Sequence, residues 1–302
     1  MIRAIAGRHN HSLRLARKLQ KKKYRRERGL LVGEGLDVLR AAWEAGAKVK
    51  EVLVRADLVA CLPEALLEAA TRSESLGSEN QTSVRGLPGS RETGQVAVGL
   101  VNADLLEWAS SLGGGADVIF ICTLPTAGLV DISLSSGVTL YLDRVGDPGN
   151  VGTLIRSAAA FGAKGVCCSP GTADPFSPKA LRAGMGAQFA LPVVVEVSPA
   201  DMLAKLDSLA RQGEQPPAVW VAKPRGGADA RDLAAEDGIL LVLGDEREGP
   251  SKEWYGAQEV TVPQCQLDSL NVAMAGTVIL YEIARTRGLG ERRSHYGHAE
   301  NH

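Results

Sequence analysis

Asn150 and Arg156 stand six positions apart in Tyr141-Leu-Asp-Arg-Val-Gly-Asp-Pro-Gly-Asn-Val-Gly-Thr-Leu-Ile-Arg156, where Gly146, Pro148, Gly149 and Gly152 punctuate the chain. An Asn oxygen can accept from the free N–H groups of a helix's first turn, and a guanidinium offers five fixed donors to an anion or hydroxyl. A pair so placed suits the binding of something polar. A helix cap and a solvated surface Arg are the plainer reading of the same residues. Two later segments carry further polar candidates: Glu246 in Gly244-Asp-Glu-Arg-Glu-Gly249-Pro-Ser, and Ser269 and Asn271 in Leu267-Asp-Ser-Leu-Asn271.

The elements that must hold these residues follow from apolar patterning. Val138 to Leu142 is a short run of β-formers bounded by Gly137 and Asp143, which suits a buried strand. A tight loop follows, and then a helix from about Gly152 to Phe161. Ile239 to Leu243 is a second continuous apolar strand and runs straight into Gly244. Glu259-Val-Thr-Val-Pro263 precedes the third polar segment, and an apolar helix covers about Val272 to Arg285.

In order and spacing these three blocks resemble the SpoU (TrmH-like) branch of the SPOUT RNA methyltransferases, over roughly residues 138 to 287. Asn150 and Arg156 fall on the first motif of that family, Gly244, Glu246 and Gly249 on the second, and Ser269, Leu270, Asn271 and Glu282 on the third. Asp174-Pro-Phe-Ser-Pro-Lys-Ala-Leu-Arg182 and Leu191-Pro192 are similar to its connecting segment. Three positions depart from the pattern: Asp245 where Asn or Ser is common, Pro250 for an aliphatic residue, and Gly184 for a frequent Ser.

The resemblance implies methyl transfer from S-adenosylmethionine to a ribose 2′-hydroxyl of RNA. It assigns Arg156, Asn150, Glu246, Ser269 and Asn271 to the reaction. A guanidinium is a poor base and a good stabiliser of a forming alkoxide or neighbouring phosphate, so the electrostatic role for Arg156 comes ahead of proton abstraction. Glu246 is the other candidate to take the proton. The cofactor is expected against Leu243, Gly244, Gly249, Val262, Pro263 and Leu270. The implied fold is α/β: a small α/β N-terminal substrate-binding domain, then a SPOUT domain with a mainly parallel sheet and a trefoil knot, forming homodimers whose active sites draw on both subunits. Such knots are exceptions among folds, and no periodicity announces one.

At 302 residues with 45% hydrophobic content, the chain has material for more than one packed core. The expected organisation is a basic segment and RNA-binding domain at 1–105, a linker or insertion at 106–136, the methyltransferase domain at 137–288 and a flexible tail at 289–302. Net charge is −1, yet residues 1–28 hold eleven Lys or Arg against Glu27 alone, a local +10 opposed by −11 elsewhere. Such a segment attracts a polyanion. Lys21, Lys22, Lys23, Arg25 and Arg26 are the expected RNA contacts, with Arg55 and Arg91 as weaker ones. Ser12 to Lys22 also reads as a solvated amphipathic helix, and the composition is that of an organelle transit peptide, although it continues into the structural-looking Gly29-Leu-Leu-Val-Gly-Glu-Gly35.

Several function classes are excluded. All five histidines lie within the first eleven or last eight residues, which leaves none in the interior for a Ser-His-Asp triad or a histidine metal site. The five cysteines form no Cys-x-x-Cys pattern and fit reduced thiols in the cytoplasm. There is no apolar run of membrane-spanning length. Residues 146 to 152 read Gly-x-x-Gly-x-x-Gly, not the dinucleotide fingerprint, and no phosphate-cradling Gly-x-x-x-x-Gly-Lys-Ser/Thr occurs. The expectation is a cytoplasmic, metal-free enzyme acting on ribosomal RNA ahead of transfer RNA. The alternative is a catalytically silent RNA-binding protein of the same fold.

Overall fold

The computed structural model describes residues 2–75, 96–113, 115–266 and 269–288. Arg91 and the expected tail at 289–302 lie outside the described residues. The chain forms two compact units, one of residues 1–126 with 174–190 and one of residues 127–173 with 191–302.

The first unit begins with β1 (Ile2–Ala4), α1 (His11–Leu19), α2 (Lys22–Arg28), β2 (Leu30–Glu34) and α3 (Leu36–Glu44). It continues with β3 (Val49–Arg55), α4 (Glu64–Ser75), β4 (Ala97–Val101), α5 (Ala103–Ala109) and β5 (Val118–Thr123). The strands form one mixed sheet in the order β1-β4-β3-β5-β2. β5 is antiparallel to both β3 and β2. Residues 106–136, expected as a linker or insertion, therefore supply an interior strand of this sheet. Val118 to Cys122 are buried on both faces, so the run carries no alternation that would reveal its partners. Gly33 on β2 makes room for it, since a Cβ there would stand 2.3 Å from the Phe120 ring.

α1 turns Leu13, Ala16 and Leu19 into a core with Val32, Leu53, Ile119 and Ile121. Glu34 is buried and accepts from the Ser111 N–H at 2.9 Å and from the hydroxyls of Ser110 and Ser111, which fixes the loop after α5.

The second unit contains β6 (Gly137–Asp143), α6 (Pro148–Ala160) and β7 (Gly165–Cys168). The chain then passes through α7 (Pro178–Ala183), which packs with the first unit, and returns at β8 (Val193–Val195). α8 (Pro199–Arg211), β9 (Ala218–Lys223), β10 (Ala228–Asp229), β11 (Gly238–Gly244), β12 (Gln258–Thr261) and α9 (Val272–Thr286) complete it. Seven strands pair in the order β10-β12-β9-β11-β6-β7-β8, every pair parallel.

β6 and β11 are the central strands, and their buried apolar runs are what a sheet covered on both faces demands. Their register runs from Gly137 beside Gly238 to Asp143 beside Gly244, so both strands end together. The segments that follow them, the first turn of α6 with Asn150 and the loop with Glu246, therefore emerge side by side. The crevice beyond the carboxyl ends of adjacent parallel strands is where open α/β sheets bind ligands.

Candidate active site

α6 starts four residues earlier than its glycines suggest. Pro148 occupies its first position, where a missing N–H costs nothing, and the Asp147 carboxylate accepts from the N–H groups of Gly149 at 2.7 Å and Asn150 at 3.0 Å. Asp147 is thus the cap, and Asn150 is released from the capping role expected for it. The Asn150 amide instead donates to Glu246 Oε1.

Asn271 caps α9, its Oδ1 accepting from Ala273 at 2.9 Å and Met274 at 3.3 Å. Its Nδ2 is left to reach Asn150 Oδ1 at 3.1 Å and Glu246 Oε1 at 3.4 Å. Asn150, Glu246 and Asn271, one from each polar segment, thereby form a single hydrogen-bonded cluster.

Beside this cluster lies a cavity of about 510 Å³ bordered by residues 243–250 and 269–272. That size falls in the range of about 300–1,000 Å³ typical of small-molecule and cofactor sites. Leu243, Gly244, Gly249, Val262 and Leu270 line it, with Ser269 and Glu246. Pro263 follows Val262 and is not among the lining residues. Lys223 and Pro224, at the end of β9, which was not read from the sequence, and Tyr255 also line it; none was anticipated.

The 244–250 loop is held in three ways. A Cβ on Gly244 would sit 2.4 Å from Pro250 N, so glycine is required for the loop to fold back there. The Asp245 carboxylate accepts from the N–H groups of Arg247 at 2.8 Å and Glu248 at 2.9 Å, and the Gly249 N–H donates to the Asp245 carbonyl at 2.9 Å. The two carboxylate bonds, with Glu248's the stronger influence, hold Asp245 below the usual Asp range. They also explain the departure at position 245, because an Asp oxygen performs the turn-capping that Asn or Ser would.

Arg144 provides the third hold. It has φ +61°, a conformation rare for a non-glycine residue, and its N–H donates to Ser169 Oγ at 2.9 Å and Thr172 Oγ1 at 3.1 Å. The guanidinium donates to the Gly249 carbonyl at 3.2 Å and pairs with Glu248 at 2.8 Å. Beneath it, fully buried Asp143 accepts from the N–H and Oγ of Ser251, both at 2.6 Å. Asp143, Arg144 and Ser251 were not identified from sequence as site residues. Asp143 and Arg144 stand at the end of β6 and Ser251 two residues after Gly249, and none has a spacing of its own to mark it.

Arg156 is not brought to this cluster. Six residues of helix carry it about 9 Å along the axis and about 240° around from Asn150. It is exposed and makes no hydrogen bond or ion pair among the described residues. α6 packs on α9 through Ser157 Oγ and Thr277 Oγ1 at 2.7 Å, and Gly276 leaves space for Leu154 and Leu243. The outer face of α9 exposes Met274, Val278 and Tyr281 at helical spacing, and the Tyr281 ring meets Phe161 edge-on with centroids 5.9 Å apart.

The expected RNA contacts divide. Arg25 is 2% exposed; it donates to the Leu19 and Gln20 carbonyls at 2.7 Å, closing the end of α1, and pairs with Asp174. It is a structural residue, corrected from the expectation of RNA contact. Lys23 lies 3.8 Å from Glu27 in an exposed pair. Lys21, Lys22 and Arg26 are exposed. Arg55 pairs with Asp57 and Asp117. Among the described residues no helix is long and apolar enough to cross a membrane.

Residues 137–281 match the model of the SpoU rRNA Methylase family. The 23S rRNA (uridine(2479)-2′-O)-methyltransferase of Streptomyces viridochromogenes is 33% identical over 188 residues, covering 61% of this chain and 65% of that relative's length. The 23S rRNA (guanosine(2553)-2′-O)-methyltransferase RlmP of Bacillus subtilis is 26% identical over 285 residues, 93% of this chain and 99% of its own. Among solved structures, the SpoU methyltransferase AviRb from S. viridochromogenes in complex with AdoMet superposes with a TM-score of 0.73 at 25% identity, covering 92% of this chain and 98% of its own. An AdoMet-bound rRNA methyltransferase from Sinorhizobium meliloti gives 0.71 at 27% identity, covering 94% and 98%.

Proposed function

The chain belongs to the SpoU family of RNA methyltransferases, and from that premise we propose that it transfers a methyl group from S-adenosylmethionine to a ribose 2′-hydroxyl of ribosomal RNA. The observation that carries the reading is the meeting of Asn150, Glu246 and Asn271 at the edge of the 510 Å³ cavity.

The residues present fit the cofactor. Gly244 gives the fold-back that opens the cavity, and backbone and apolar groups of 243–250, Val262 and Leu270 can hold an adenosine-sized ligand. When bound, S-adenosylmethionine supplies an electrophilic methyl group. The chain's residues must align the ribose oxygen with it and manage one proton. Asn150 and Asn271 fix the direction of the Glu246 carboxylate, whose second oxygen is available to accept the hydroxyl proton directly or through water. Arg156 supplies positive charge to the developing alkoxide or the adjacent phosphate.

Because Arg156 lies away from its own cluster, the reading includes a homodimer in which the partner subunit's Arg156 completes the site. The exposed Met274, Val278 and Tyr281 stripe on α9, the helix packed against α6, supports such an interface. RNA is the substrate class; ribosomal RNA is favoured over transfer RNA by what the relatives are named for. All five cysteines are free thiols, which supports a reducing, cytoplasmic setting.

The test is transfer from radiolabelled S-adenosylmethionine to ribosomal and transfer RNA, with wild type beside Arg156→Ala, and nuclease mapping of the product. The expected result is 2′-O-methyl label in ribosomal RNA that vanishes in the variant. Failure to bind the cofactor at all would favour the catalytically silent RNA-binding alternative.

A further inference from the structure

The first unit carries a second cavity, of about 220 Å³, lined by His9, His11, Arg14, Leu15, Lys18 and Arg28. No acidic residue lines it, and the His9, His11, Arg14, Lys18 and Arg28 side chains make no hydrogen bond or ion pair among the described residues. We propose that this cavity is a binding site for the phosphate backbone of the RNA substrate; this rests on the reading that the chain acts on RNA.

His11, Arg14, Leu15 and Lys18 recur at i, i+3, i+4 and i+7 and so share one face of α1. The opposite face, with Leu13, Ala16 and Leu19, is buried in the core, and Arg25 locks the end of the helix. The cations are therefore presented on a fixed support. Around them, Arg17 and Arg8 lie over the Trp108 ring at 4.2 and 5.7 Å, adding positive charge. Unlike Arg25 and Lys23, which are taken up by Asp174 and Glu27, the five cavity side chains have no partner among the described residues.

The choice of ligand follows from size and lining. At about 220 Å³ the cavity is below the usual cofactor range of about 300–1,000 Å³, and it suits a phosphate group. A protein partner would need an apolar centre to its interface, and Leu15 alone does not make one. Basic groups converging on a concave surface with no acid between them are the arrangement that displaces condensed counterions from a nucleic acid.

The experiment compares full-length wild type with Arg14→Glu/Lys18→Glu and with the milder Arg14→Ala/Lys18→Ala, both at exposed positions. Filter binding of radiolabelled total ribosomal RNA across a salt series is read beside S-adenosylmethionine affinity and methyl transfer. The expected result is a loss of about tenfold or more in RNA affinity and a salt slope shallower by about 1.5, with cofactor affinity unchanged. Equal affinity and slope in wild type and both variants would overturn the proposal. Inorganic phosphate bound by wild type and lost in both variants, with RNA affinity unchanged, would also overturn it, since the cavity would then be a free-anion site. Wild type that binds RNA through these residues yet transfers no methyl would sink the methyltransferase reading and leave the cavity's role standing.

Discussion

Asn271 donates to Asn150 Oδ1 at 3.1 Å, a contact between residues 121 positions apart. The oxygen of Asn271 is committed to the first turn of α9, so its amide can face in one direction only, with the nitrogen toward Asn150 and Glu246. One side chain both starts a helix and orients the candidate catalytic carboxylate.

Asn271→Asp separates those two tasks. Asp caps about as well as Asn, so the midpoint of thermal unfolding should barely move. The donors to Asn150 and Glu246 disappear and a second carboxylate faces Glu246, so methyl transfer should fall about 100-fold. Full activity in Asn271→Asp would show that the amide donors do not matter.

Arg144→Gly and Arg144→Ala test the hold on the 244–250 loop. Both remove the bonds to Glu248 and Gly249, and each should weaken cofactor binding about tenfold by calorimetry. Glycine accepts φ +61° without strain, so the Ala variant should be less stable than the Gly variant by about 1 kcal/mol. Unchanged cofactor affinity would make the Arg144 contacts incidental.

Arg25→Ala leaves Asp174 without its partner and two helix carbonyls without their donor. Removing one member of a buried pair costs about 3–5 kcal/mol, to be read from denaturant unfolding. Arg25→Lys, tested for RNA binding at a temperature where it remains folded, should keep the wild-type salt dependence, because the residue is buried.

Asp245 carries a pH prediction. Its carboxylate is held below the usual Asp range, chiefly by the Glu248 N–H and then by that of Arg247. A depressed value in the folded state gives a contribution that is present above the unfolded Asp value of about 3.9 and lost as pH falls through the lower folded value. Cofactor affinity measured downward from pH 6 should therefore hold until about pH 4 and then decline. Asp245→Asn keeps an acceptor oxygen and should remove that part of the decline; an identical profile would place the acid sensitivity elsewhere.

Much of the second unit was legible because its signals are local. The runs Val138 to Leu142 and Ile239 to Leu243 are each bounded by a glycine, and both became adjacent parallel strands. Asn150, Glu246 and Asn271 were found from their motifs, yet their mutual hydrogen bonds depend on the register of β6 with β11, which no single segment encodes. Asp147-Pro148 is an N-cap followed by a first-turn proline, a signal that would have placed the start of α6 correctly. The same holds for α8, where Ser198 and Asp201 form a capping box after which the helix runs to Arg211. β5 was harder, because a strand buried on both faces has no period to read. Arg25 was misread because a Lys/Arg-rich run gives no hint of which member turns inward.

The chain passes between its two units at 126/127, 173/174 and 190/191. No single cut of the chain therefore separates one unit from the other. A fragment beginning at residue 127 would carry α7 and Asp174 with neither β2 nor Arg25 to receive them. Any lineage that exchanged the N-terminal unit for another would have had to rewrite residues 174–190 as well, so the two units can be expected to diverge together.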